Sequence, residues 1–173
     1  MTAAPAPRLR RHVKRYLGYR MSGFPAGVHR GLPSSDLTCI VSIGPAIEVL
    51  AQSDRSQAPA SYRCVLGGLQ ASPTLIANPG QWAGIAIELT PLGLHGLCGL
   101  PARALWNTSY ELDDVFGRVG TELWERVQGA NSWRQRFAAC DAVLGGLGDD
   151  HFVVPELVWA WRELTVSGGT TTV

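Results

Sequence analysis

The sequence predicts an α+β domain: a small antiparallel β-barrel or sandwich followed by an antiparallel helical hairpin. Three observations predict it. From Gly18 to Leu89, short β-branched and apolar runs alternate with turn signals. At Thr90 the spacing of apolar residues changes from every second residue to every third and fourth. Beyond Asp113 two amphipathic stripes are separated only by Asn131-Ser132.

At 173 residues, 46% hydrophobic and 17% charged, the chain suits one domain with a packed core, and disorder throughout is excluded. The net charge of +1 hides a split: residues 1–35 carry seven bases and no acid, and the remaining eight bases and 14 acids leave −6. A nucleic-acid footprint would need a basic face across the domain, and this is not one. Cys39, Cys64, Cys98 and Cys140 form no CxxC and read as buried thiols of a reducing cytosol. The basic start is not followed by an apolar run, so no signal peptide is read there, and the glycines, prolines, His95 and Arg103 of residues 89–106 argue against a membrane span. The expected location is cytoplasmic.

Taken in order, Met1 to Pro7 reads as a disordered tail of small residues. Leu9, Val13, Tyr16 and Leu17 recur at helical spacing and predict an amphipathic helix with a solvated basic face. His29 to Pro33 reads as extended, and Leu37 to Ile43 as the first strong strand, ended by Gly44-Pro45. Ile47 to Leu50 and Tyr62 to Leu66 follow as shorter strands around a polar loop. Thr74 to Ala77 and Trp82 to Leu89 flank Asn78-Pro79-Gly80-Gln81, which reads as a hairpin loop.

Thr90-Pro91 reads as a helix N-cap with proline at the first position. Gly93, Gly96 and Gly99 recur along that helix, and close packing against the sheet explains them better than a phosphate cradle. Pro101 restarts the chain, and Asp113-Asp114 favour the positive end of a new helix. Phe116, Val119, Leu123 and Val127 form one stripe. Ser132, with Gln135 three residues on, has capping-box spacing before a second stripe of Trp133, Phe137, Cys140, Leu144 and Leu147. Glycines and Asp149-Asp150 end it as a solvated loop, and Pro155 opens a third helix that runs to Gly168-Gly169.

Reactive chemistry is absent from this pattern. The four histidines are scattered without HxH or HxxxH spacing, so no metal site is read, and His95 reads as a satisfied helix residue. No GxSxG, Walker or GxGxxG run exists. Glu122 and Arg126 read as a surface i,i+4 pair. No cofactor is implied.

The strand around Glu88 carries the strongest hint of binding. Ala83, Ile85, Ile87 and Leu89 make one face bulky and apolar. Trp82, Gly84, Ala86 and Glu88 make the other an aromatic, two small residues and a carboxylate. That second face is either solvent-exposed or the wall of a ligand pocket, in which Glu88 orients the ligand. Trp82, Glu88, Arg30, Tyr62 and Trp106 are the candidate ligand-binding residues, the last three on aromatic or charge grounds.

The run LTPLG at residues 89–93, GLPARAL at 99–105, LDDVFG at 112–117, LWERVQGA at 123–130 and RFAACDAVL at 136–144 resembles the N-terminal sensor half of AraC-type transcription regulators. The resemblance extends from Tyr16 to the last residue. It implies a cupin-like β-barrel that senses a small-molecule effector and a helical hairpin that carries homodimer contacts, with Trp124 and Arg136 as candidate interface residues. PELVWAWREL at 155–164 resembles the first helix leading to the DNA-binding half. The implied organisation is a basic tail and helix at 1–20, a sensing and dimerising domain at 21–150 (barrel about 21–89, helices about 90–148), and a linker with its first helix at 151–173. DNA is expected to be read by sequence beyond Val173. A cupin-like enzyme and a protein-interaction module without a small ligand are the alternatives. The preferred reading is not an enzyme.

Overall fold

The alternating run of residues 81–89 builds a long strand, β9 (Gln81–Leu89), in the middle of a six-stranded sheet. The computed structural model describes residues 1–147 and 151–171. The expectations for Gly148, Asp149-Asp150 and the last two residues therefore lie outside the described residues. On one side of β9 lie β2 (Val13–Ser22) and then β1 (Thr2–Ala3). On the other lie β4 (Leu37–Ser42), β7 (Cys64–Gly67) and β10 (Ser109–Glu111). A second sheet has the order β3 (Gly27–Gly31), β8 (Thr74–Asn78), β5 (Ile47–Ala51) and β6 (Ala60–Tyr62). All pairings are antiparallel. The sheets do not close into a barrel, so the α+β arrangement is the sandwich of the two expected forms.

The two faces of the first sheet meet different partners. Tyr16, Cys39, Val41, Ile85, Ile87 and Leu89 face the helices and share one buried cluster with Leu94, Leu123, Val127, Phe137 and Cys140. Each such fully buried aliphatic chain contributes about 1.5–3 kcal/mol. The opposite face meets the second sheet through a smaller cluster in which Val49, Tyr62 and Val65 pack with Ile40, Ile47 and Ile76.

The helical half follows its capping chemistry. In α1 (Pro91–Cys98) the Gly93 amide donates to Thr90 Oγ1 at 2.9 Å, and Gly99 ends the helix at φ 74°. The helix comes close to the chain at His12 rather than to a strand: a side chain at Gly93 would strike the His12 backbone, and one at Gly96 the His12 ring. The single stripe expected from Phe116 to Val127 is two helices, α2 (Leu112–Phe116) and α3 (Val119–Gly129), broken at Gly117 with φ 65°. Asp113 reaches across the break and accepts from the Thr121 amide at 2.9 Å and from its hydroxyl at 2.5 Å. In α4 (Trp133–Leu144) the Gln135 amide donates to Ser132 Oγ at 3.3 Å, and the Gln135 side chain reaches back to the Asn131 amide at 2.9 Å. The last helix, α5 (Pro155–Val166), buries no residue. No helix among the described residues is long and apolar enough to cross a membrane.

Two expectations for the β half need correction. Residues 1–20 are not a loose tail and amphipathic helix. Thr2 and Ala3 pair with Leu17 and Tyr16, a 3-10 turn covers Pro7–Leu9, and a strand begins at Val13. A register shift between Val13 and Arg15 puts Val13 and Tyr16 on the same buried face, which mimics helical spacing in the sequence. Nor do residues 74–89 form a hairpin. β8 pairs with β3 and β5, β9 pairs with β2 and β4, and Asn78-Pro79-Gly80-Gln81 is a corner from one sheet to the other, with Gly80 at φ 89°.

A candidate ligand cavity between the sheets

Where the two sheets diverge they leave a cavity of about 340 Å³. Its place follows from strand alternation. On β2, Tyr19 and Met21 lie on the face opposite Gly18 and the helices, and they pair across β9 with Gly84 and Trp82. On β4, Ile40 and Ser42 share this face. The second sheet contributes His29, Ile47 and Ile76. The wall is thus largely aliphatic and aromatic, with few polar groups.

Gly84 decides the shape of the wall. A side chain there would lie 2.7 Å from the Tyr19 hydroxyl and 2.8 Å from the Val41 carbonyl oxygen. Its absence lets the phenol reach across β9. Burial pushes the Tyr19 hydroxyl pKa up to about 12, so the group stays a neutral donor. His29 and Trp82 meet edge to face across the sheets, with centroids 5.2 Å apart at 88°. A second recess of about 220 Å³ shares Met21, His29, Gln81 and Trp82 with the first and extends to Phe24 and Asn78. Ser42 Oγ donates to the Pro45 carbonyl at 2.6 Å.

The structure brings only one of the five candidate ligand residues to this wall. Trp82 lines it. Glu88 shares the strand face but lies at its far end, where Arg15 on the adjoining strand donates to both carboxylate oxygens at 2.6 and 2.8 Å. Arg30 is exposed on β3, one residue on from His29 and so on the other side of that strand. Tyr62 is buried in the joint between the sheets; its hydroxyl accepts from Gln52 Nε2 and donates to the Ser109 carbonyl, both at 3.1 Å. Trp106 is 51% exposed beside the 3-10 turn Ala102–Leu105, away from the cavity. Sequence reasoning missed Tyr19, Met21 and His29. The legible signal was the small Gly84 near Trp82, which leaves room for the Tyr19 phenol.

The candidate dimer residues both have partners within the chain. Trp124 packs on the core beneath the Arg63 guanidinium, 5.3 Å from its ring centroid. Arg136 stacks over Trp133, also at 5.3 Å, and donates to the Val127 carbonyl at 3.2 Å. Among the described residues no group of His, Cys, Asp and Glu is placed to hold a metal ion. All four cysteines are free, three buried and Cys98 half-buried. His95 is half-buried, with its ring 6.2 Å from that of His151.

No family model matches the chain, and no curated protein does. Among solved structures it is similar to ToxT from Vibrio cholerae, an AraC-family regulator. A ToxT structure from strain O395 matches at 12% identity and TM-score 0.43, covering 91% of this chain and 64% of that one. A second crystal form matches at 12% identity and TM-score 0.37, over 88% and 54%. A third, whose ToxT is bound to (E)-4-(8-methylnaphthalen-1-yl)but-3-enoic acid, matches at 11% and 0.37, over 87% and 55%. The chain thus spans less than two thirds of the ToxT chains it matches.

Proposed function

We propose that this chain is the ligand-sensing and dimerising part of an AraC-type transcription regulator. The observation that carries the reading is the cavity between the sheets. It lies at the low end of the roughly 300–1,000 Å³ range of small-molecule sites, and it combines apolar walls with few polar groups, as such sites do. Binding, not catalysis, suits such walls. In this reading residues 1–147 sense the effector and dimerise, and α5 leads toward a DNA-reading half. Two copies associate through the outer faces of α3 and α4, with Trp124 and Arg136 beside the exposed Glu125 and Arg134. The regulator works in the cytoplasm, where an effector that prefers one domain arrangement shifts its population.

A metabolite screen by thermal shift, repeated on Trp82→Ala, tests the sensor. A compound at 100 times its Kd should stabilise the protein by about 2.7 kcal/mol, and the substitution should remove that gain. Stabilisation that survives Trp82→Ala unchanged would place the ligand elsewhere. Analytical ultracentrifugation of Arg136→Glu beside the parent chain tests the dimer; a parent that sediments as a monomer at all concentrations rules it out.

A further inference from the structure

We infer that the cavity selects uncharged, mainly apolar molecules with one hydrogen-bond acceptor and discriminates against carboxylates and phosphates. This rests on the reading of the cavity as the ligand site. None of the described residues lining the cavity is Lys or Arg. The one carboxylate among these described residues, Glu48, is exposed and accepts from Ser61 Oγ at 2.6 Å. Among the described lining residues His29 alone is able to carry positive charge, and it is solvent-exposed with its ring against Trp82.

Nearby bases do not make up the deficit. Arg20 and Arg30 each follow a cavity-lining residue along a strand, so they belong to the opposite faces. Arg15 lies on the cavity-side face but is held by Glu88 at the far end of β9. An anion entering here would lose hydration with no Lys or Arg among the described lining residues to replace it. The polar handle is the Tyr19 hydroxyl, which makes no hydrogen bond to the described residues and lies beside Gly84. Burial keeps that phenol protonated, so it can donate to a carbonyl, ester or ether oxygen.

Two probes of matched size test this: benzylacetone, a neutral ketone, and hydrocinnamate, a carboxylate. Each is titrated into the nitrogen-labelled full chain while the amide signals of Tyr19, Trp82 and Gly84 are followed. Benzylacetone should shift those signals, and hydrocinnamate should bind at least about tenfold more weakly. Tyr19→Phe should weaken the ketone about three- to tenfold, the loss of one hydrogen bond. Met21→Lys, which adds a base to the wall, should narrow or reverse the preference. Hydrocinnamate binding at the same amides as tightly as the ketone overturns the selectivity and leaves the cavity a ligand site. No shift with either probe overturns the reading of the cavity itself, and this inference with it.

Discussion

The indole of Trp133 occupies the space that a side chain at Gly18 would fill. A Cβ there would lie 2.5 Å from the indole Cε3 and 3.1 Å from Phe137 Cζ. Trp133, Phe137 and Tyr16 form a ladder with centroid spacings of 6.2 and 5.9 Å, and this ladder seats α4 on β2. Gly18→Ala should therefore overpack the seam and cost about 1–3 kcal/mol. Gly27→Ala is the control, because nothing lies within 4 Å of its Cβ position; it should be neutral or stabilise by up to about 1 kcal/mol. Urea denaturation of both variants decides the matter, and equal midpoints would mean the seam yields freely.

The start of the chain is tied down by a carboxylate of α4. Asp141 Oδ1 accepts from the Ala6 amide at 2.8 Å and from the Tyr16 hydroxyl at 2.9 Å. A hydrogen bond to a charged acceptor is worth about 1.5–3 kcal/mol, and two that share one oxygen are not additive. Asp141→Ala should cost about 2–4 kcal/mol and speed amide exchange across β1. Asp141→Asn, which keeps an acceptor oxygen, should cost less. If exchange at Ala3 and Ala6 is unaltered in Asp141→Ala, the carboxylate is not the anchor.

What the sequence made legible was local chemistry. Thr90-Pro91 and Ser132/Gln135 are read from a few adjacent residues, and both caps form as expected. Leu123 and Val127 were expected on a buried stripe and are fully buried. What escaped depends on distant pairing. Nothing near Pro79 says that β8 and β9 belong to different sheets, because that choice is made by β3, β5, β2 and β4. The shift after Val13 disguised a strand as a helix for the same reason: its partner, β9, lies some seventy residues away. One wall of the site was legible. The Trp82–Gly84 face carried its signal within one strand, whereas Tyr19 and His29 acquire meaning only where three strands from two sheets converge.

Trp82 and Glu88 share one strand face and should separate cleanly in binding. The indole lines the cavity, and the carboxylate is held by Arg15 at the far end. Trp82→Ala removes a wall and should weaken any cavity ligand at least about tenfold, since a buried aromatic contact of this size exceeds 1.4 kcal/mol. Glu88→Gln should leave the affinity within about twofold. Calorimetric titration of both variants with benzylacetone checks the contrast. A large loss in Glu88→Gln would return that carboxylate to the site.

Stability should fall at both ends of the pH range, for opposite reasons. Burial, then the neighbouring Arg11, lowers the His12 pKa. The unfolded chain therefore takes up that proton first, near the ordinary histidine value of about 6.5. Stability present above about pH 6.5 is lost as pH falls through it, at up to about 1.4 kcal/mol per unit. On the alkaline side, burial raises the thiols of Cys64 and Cys140 to about 12, and Tyr16 is raised by burial and by its bond to Asp141. These contributions are intact at neutral pH; those of the thiols are lost as the unfolded thiols ionise above about pH 9, and that of the phenol only above about pH 10. Urea midpoints measured from about pH 5.5 to 10 should trace a dome. His12→Gln should flatten its acid limb while leaving the alkaline limb in place, whatever it does to absolute stability at neutral pH. An acid slope that persists unchanged in His12→Gln would assign the proton uptake to another group.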